Sequence, residues 1–172
     1  AGWVPEATAP RLPYGIALDL QAPTNVLTPR WSIDPRSAEL AATFAIESFA
    51  DECAREAGVD PLQWRLDPLA DTQGRALVQA VAERAAWRRG TAGPGRTDQG
   101  PRVGRGFAYV HTLDDSTEPP RHAWSAWVVD LRVDASAGRI DIAGLTVGHH
   151  VEGLHDAPLH EGAVQARIGA AA

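Results

Sequence analysis

Residues 122–148 read HAWSAWVVDLRVDASAGRIDIAGLTVG, and their periodicity decides the fold class. Trp127, Val129, Leu131 and Val133 recur at every second position, which places them on one face of an extended strand. The stretch DASAG (134–138) is a turn signal ending on glycine, and RIDIAGLTVG (139–148) is the strand that returns from it. Residues 122–148 therefore predict a long antiparallel hairpin. GRGFAYVHTL (104–113) predicts a third strand beside it, across the polar loop DDSTEPPR (114–121). Trp124 and Trp127 lie three apart, so they face opposite sides. One is expected in the core, the other over a neighbouring element.

The first half reads differently. YGIALDLQA (14–22) is a strand candidate in a proline-rich stretch. A helix is predicted from about Ser37, a plausible N-cap, to about Ala57, with Gly58 ending it. Its expected apolar stripe is Ala38, Ala42, Ala45, Ile46, Phe49 and Cys53, with Glu39, Glu47, Asp51, Glu52 and Glu56 mostly off it. Asp60-Pro61 restarts the chain as cap and first helical residue of PLQWRLDPL (61–69). A further helix is predicted from Asp71 to about Arg88, burying Leu77, Val78, Val81, Ala85 and the Trp87 ring. GTAGPGRTDQGP (90–101), with four glycines and two prolines, reads as a loop between the halves. Helices followed by a strand meander give an α+β fold.

Composition narrows the function. The chain has 172 residues, 44% hydrophobic, enough for a core; 16 basic and 22 acidic residues leave a net charge of −6, against a nucleic-acid partner. Cys53 is the single cysteine, so neither an intrachain disulfide nor a thiolate-rich zinc site is available; a small, buried helix residue is the reading for it. No apolar run has the length of a membrane span, and the first 25 residues lack a signal-peptide pattern, which leaves cytoplasm and periplasm both open. Residue 1 is Ala, no Met occurs, and AVQARIGAAA (163–172) reads as a helix still running. The expectation is a single domain or an excised piece: a strand plus helical half (1–89), the glycine-rich loop (90–101), then antiparallel strands and a terminal helix (102–172). Such a piece is expected to expose apolar surface and to self-associate.

Chemical motifs are sparse. There is no nucleophile elbow, dinucleotide fingerprint or P-loop. HHVEGLHDAPLHE (149–161) gathers four of the six histidines beside three carboxylates. His149, His150, His155 and His160 are the candidate metal ligands. Adjacent His149 and His150 would point to opposite faces if the strand continued through them. A polar connection after the strand is the leading reading.

FAIESFADECAREAGVDPLQWRL (44–66) resembles a segment of the large, molybdopterin-binding subunit of the molybdenum hydroxylases, the xanthine dehydrogenase and aldehyde oxidase family, and within it the isoquinoline 1-oxidoreductase beta-subunit type. Phe44, Ala45, Glu47, Ser48, Phe49, Asp51, Glu52 and Ala54 match the family's helix pattern, and Gly58, Asp60, Pro61, Leu62, Arg65 and Leu66 match the G-x-D-P-L-x-x-R-L that follows. Gly104 to Ala108, Ala126 to Asp134, Gly138 to Ile142 and Val164 to Ile168 match weaker strand and helix patterns in the same order.

The resemblance implies a hydroxylase that uses a molybdopterin cytosine dinucleotide and inserts water-derived oxygen into an N-heterocycle or aldehyde. It implies two partners, the remainder of the molybdopterin-binding subunit and an iron–sulfur subunit. The family's cofactor loops lie upstream of this region and its catalytic glutamate downstream, so no catalytic residue is assigned here and scaffolding is the expected role. Arg36 falls near the family's loop arginine by the molybdenum centre and is the one candidate cofactor contact. The glycine and Gln-Asn pair of that loop are replaced in RWSIDPR (30–36), and the histidine-rich stretch replaces another family loop. These departures keep two alternatives in view, a noncatalytic binding or assembly module and a His-rich metal-binding protein.

Overall fold

A computed structural model describes residues 13–14, 35–89, 93–95, 102–114 and 118–153. Three helices precede four strands: α1 (Pro35–Glu56), α2 (Pro61–Leu66), α3 (Thr72–Arg84), β1 (Gly93–Gly95), β2 (Arg102–Asp114), β3 (Arg121–Asp134) and β4 (Arg139–Val151). This is the α+β order read from the sequence. No described helix is long and apolar enough to cross a membrane. Apart from Tyr14, the strand candidate at 14–22 and the terminal helix candidate lie outside the described residues.

Local chemistry sets the helix ends. α1 begins at Pro35, two residues before the expected cap Ser37, because a first-turn proline has no N–H to leave unpaired. It closes at Gly58 (φ 65°), whose N–H donates to the Arg55 carbonyl (3.2 Å) while Val59 N–H donates to Ala54 (2.9 Å). Asp60 caps α2, accepting the N–H groups of Leu62 (3.0 Å) and Gln63 (3.3 Å). α3 stops four residues before the expected Arg88. Ala86 takes the left-handed conformation (φ 48°), and Trp87 N–H donates to the Ala82 carbonyl at 2.8 Å. The Trp87 indole N–H then bonds Asp60 (3.1 Å), and its ring meets Phe107 edge-on at 6.0 Å. Tertiary anchoring of the indole thus ends the helix, and an alanine sits where glycine is easiest. Ala86→Gly is expected to stabilise the chain by about 0.5–1 kcal/mol, read by urea unfolding, since it relieves the left-handed strain at some cost in unfolded-state entropy.

The sheet has the order β1-β2-β3-β4, antiparallel throughout. Within the expected glycine loop, residues 93–95 pair with 103–105 as the short β1, so that loop is not wholly irregular. β4 runs three residues past the expected end and includes His149 and His150. Between Asp130 and Leu131 the register with β4 shifts: Asp130 faces Gly144, while Leu131 faces Ile142. Ala143 is the extra residue of a bulge.

The helices pack on the face carrying Phe107, Tyr109, Trp124, Ala126 and Val128, and bury Leu66, Leu69, Val78, Val81 and Tyr14 against it. Trp124 is core and Trp127 lies half-buried on the other face, as expected from their spacing. The Trp127–Val129–Leu131–Val133 face is not the helix-covered one. The α1 stripe also differs from expectation. Leu40, Phe44 (73% exposed) and Phe49 (65%) face outward, Ala45 is exposed and Cys53 is half-buried. The buried side of α1 is Glu47, Ala50 and Ala54, with Ile46 packed on the core.

Candidate functional site

The densest polar site lies where α1, α2 and β2 meet. Arg65 is fully buried beside Glu47, itself 6% exposed. The Arg65 Nε donates to Glu47 Oε2 (2.9 Å), Nη2 to the Glu47 carbonyl (2.8 Å) and Nη1 to the Pro61 carbonyl (3.0 Å). Nη1 also lies 2.7 Å from Asp51 Oδ1. Glu47 accepts two further bonds, from Tyr14 OH (2.7 Å) and from the Tyr109 backbone N–H (3.0 Å). The guanidinium sits 5.7 Å over the Phe107 ring.

Burial alone would lower the Arg65 pKa, but Glu47, Tyr14 and Asp51 outweigh it and hold it above its ordinary value. Burial, reinforced by Glu47, pushes the Tyr14 hydroxyl well up. Both groups therefore keep one protonation state at neutral pH. Every strong donor and acceptor of the pair is directed at the protein itself, so the cluster locks three elements together and offers no reactive group.

The sequence reading placed Glu47 and Asp51 mostly off the apolar stripe of α1 and gave them no partner. The signal of the knot was present: Glu47, Ala50 and Ala54 share a helical face at i, i+3, i+7 spacing, with Arg65 in the D-P-L-x-x-R-L run. Glu47, Asp51, Asp60, Arg65 and Leu66, all residues of the family resemblance, are thus fold-holding residues here.

Two aspartates act alike. Asp60 caps α2 and holds the Trp87 indole; Asp71 caps α3 through Gln73 N–H (3.0 Å) and accepts the Trp124 indole N–H. Each carboxylate ties a helix N-terminus to an indole of the core. On the sheet, Arg105 and Asp130 are cross-strand partners joined by two bonds (2.6 and 2.8 Å). The Arg105 hydrogen bonds hold the Asp130 carboxyl below its ordinary value. A lowered native pKa stabilises the fold above the unfolded carboxyl pKa and is lost as pH falls through the native one. Asp130→Asn is therefore expected to flatten part of the acid-side loss of melting temperature, with a small effect because the pair is partly exposed.

Three of the four described imidazoles, His111, His122 and His150, lie around Trp124 on one sheet face, and His149 lies on the other. Trp124 lies between His111 (ring centroids 5.1 Å, interplanar 4°) and His150 (5.3 Å, 28°), a cross-strand row over β2, β3 and β4. His111 Nε2 and His122 Nδ1 are 2.9 Å apart. With their centroids 5.1 Å apart, these two rings meet through an N–H···N bond, which engages one nitrogen of each. His149 and His150 occupy consecutive β4 positions on opposite faces, paired in register with Ser125 and Trp124. They do not converge. His155 and His160 lie outside the described residues, and among the described residues no group of three or more His, Cys, Asp or Glu is placed to hold a metal. Arg36 is the second residue of α1; its side chain is outside the described set.

Two curated proteins are similar to this chain. Over 108 residues, 62% of the chain, it is 40% identical to a nicotinate dehydrogenase subunit of Pseudomonas putida. Over 91 residues, 50% of the chain, it is 38% identical to the beta subunit of isoquinoline 1-oxidoreductase from Brevundimonas diminuta. The matched stretches span only 9% and 11% of the relatives' own lengths. No family model and no solved structure matches the chain. Both relatives are oxidoreductase subunits, and together they support the resemblance carried by residues 44–66, that of a segment of a molybdenum hydroxylase-type subunit.

Proposed function

We propose that this chain is a segment of the large subunit of a molybdenum hydroxylase, and that its residues scaffold one wall of the cofactor and substrate cleft. The 40% identity over 108 residues to the nicotinate dehydrogenase subunit carries this reading. The substrate class follows from the relatives' names: nicotinate and isoquinoline are both nitrogen heterocycles, so an N-heterocycle is favoured over an aldehyde, with the inserted oxygen drawn from water.

The cofactor of the whole assembly would be a molybdopterin, in its cytosine dinucleotide form. The described residues do not fit as its cradle: their buried cation, Arg65, is bonded to Glu47, Asp51 and Pro61 within the fold. Cofactor contact is left to Arg36 and to chain outside these residues, and the electron path to an iron–sulfur partner subunit. In this role Arg36 presents a rigid fork of donors to an anionic group.

Elemental analysis of the native species, purified through this sequence under mild conditions, tests the reading. Molybdenum together with iron in a larger assembly is the expected result. A species without molybdenum, near the mass of this chain, would overturn it in favour of a noncatalytic assembly module, which the altered loop at 30–36 also favours.

A further inference from the structure

Leu40 is 72% exposed where its place on the helix calls for burial. Leu40, Glu47 and Ala54 follow one another at two-turn spacing and share one stripe of α1. Glu47 and Ala54 are 6% and 0% exposed. Phe44, one turn on from Leu40 and so its neighbour on the helix surface, is 73% exposed. Phe49 lies on the opposite side of the helix and belongs to another surface. The buried stripe of α1 thus runs on past the described core, and no described residue covers its Leu40–Phe44 end.

One stretch outside the described residues, 15–34, has both its ends on this helix. Tyr14 is buried, its hydroxyl donates to Glu47 at 2.7 Å, and its ring lies 6.3 Å from that of Tyr109. Pro35 opens α1, about 18 Å along the helix from Glu47. The chain therefore leaves Tyr14 at the level of Glu47 and returns at the helix start, with Phe44 and Leu40 between the two points. The spacing agrees. In an extended chain Ile16, Leu18 and Leu20 share the face of Tyr14, which is turned into the fold. At a strand's rise, Ile16 and Leu18 fall about 7 and about 13 Å beyond Tyr14. At a helix's rise, Phe44 and Leu40 fall about 4.5 and about 10.5 Å before Glu47.

We propose that Ile16 and Leu18 dock on Phe44 and Leu40, with residues 15–20 extended antiparallel to the N-terminal half of α1. Other occupants fit less well. Residues 154–172 leave from the end of β4, two strands away from β2, which meets α1 through the Tyr109 N–H. Residues 1–12 are tied to α1 at one end alone, through Tyr14. A second copy would gain two side chains there, far short of the roughly 800 Å² per partner of a stable interface. The contact is independent of the hydroxylase reading, since every residue in it belongs to this chain.

The test places photo-leucine, a diazirine analogue of leucine, singly at Leu18, Leu40 and Ala17 of the native polypeptide that carries this sequence. Irradiation, trypsin digestion and peptide mapping follow. Arg11, Arg30, Arg36 and Arg55 bound the two peptides that matter, 12–30 and 37–55. Leu18 is expected to link to peptide 37–55, and Leu40 to peptide 12–30, both in products with the mass of one polypeptide. Ala17, one residue out of phase, is expected to give little of that product. Failure of either leucine link overturns the proposal. So does a Leu40 link to residues 154–172, to chain elsewhere or to a second polypeptide, and so does an Ala17 yield equal to that of Leu18. The molybdenum content of the preparation bears on none of these links, so the docked strand and the hydroxylase reading fail separately.

Discussion

Arg65→Leu is expected to destabilise the chain by about 3–5 kcal/mol, lowering its melting temperature by roughly 10 °C or more. The size follows from what is left behind. Removing the guanidinium strands the Glu47 carboxylate in a site only 6% exposed, leaves Asp51 without its 2.7 Å partner, and frees the Glu47 and Pro61 carbonyls of donors. A buried charge that loses its partner costs far more than an exposed pair contributes. Arg65→Lys is expected to fall between: a point charge on a flexible stem cannot reach the carboxylate and two carbonyls that the planar fork engages.

The double variant Glu47→Leu/Arg65→Met separates the charge penalty from the rest. It is expected to lose clearly less than the two single losses added together, since both charges leave together. Recovery stays partial because the Tyr109 N–H and Tyr14 hydroxyl lose their acceptor. Urea unfolding of the parent, the two single variants and the double variant reads the coupling. An Arg65→Leu chain within about 1 kcal/mol of the parent would show that the knot does not hold the fold.

Much of the fold was legible because local rules and packing agreed. Asp60-Pro61 read as cap and first turn, Gly58 as a helix end, and 122–148 as a hairpin; none needs knowledge of distant residues. The misreadings arose where tertiary contacts decided. Apolar periodicity put Phe49 and Ala45 on the buried stripe of α1, but the helix turns Glu47 inward to meet Arg65, eighteen residues on. Trp127, Val129, Leu131 and Val133 do share one strand face, as their spacing predicted, and the helices cover the other, with Trp124, Ala126 and Val128. Hydrophobicity shows that a face will be covered; it does not say by which element. The bulge was readable in principle, from the change of parity between Ile142 and Leu145. The candidate site was least legible. Residues 44–66 identified a resemblance, and their described contacts are those of a framework. Arg36, the one proposed cofactor contact, rests on position alone.

Gly74→Ala is expected to cost about 3 kcal/mol, the upper part of the range for overpacked core positions. A Cβ at Gly74 would lie 2.0 Å from the Tyr109 hydroxyl and 2.9 Å from its ring carbon, and Tyr109 is itself 1% exposed. The ring has little room to swing away, because it is enclosed in the core and packed against the Tyr14 ring at 6.3 Å. α3 must lift from the sheet, yet its N-terminus is tied by Asp71 to Trp124. Gly148 makes the same close approach from the strand side, where a Cβ would lie 2.3 Å from Val81 Cγ2. Two glycines thus set how near α3 sits. The Tyr109 hydroxyl is buried without a hydrogen-bond partner among the described residues, so Tyr109→Phe alone is expected to be neutral or stabilising by up to about 1 kcal/mol. Combined with Gly74→Ala it removes the worst overlap and is expected to recover more than half of the loss, the remaining ring contact limiting the rescue. Thermal unfolding of the cycle decides it. A tolerated Gly74→Ala, or a double variant no better than Gly74→Ala alone, would mean that α3 is not held against Tyr109 and that the glycine spacing does not position the helix.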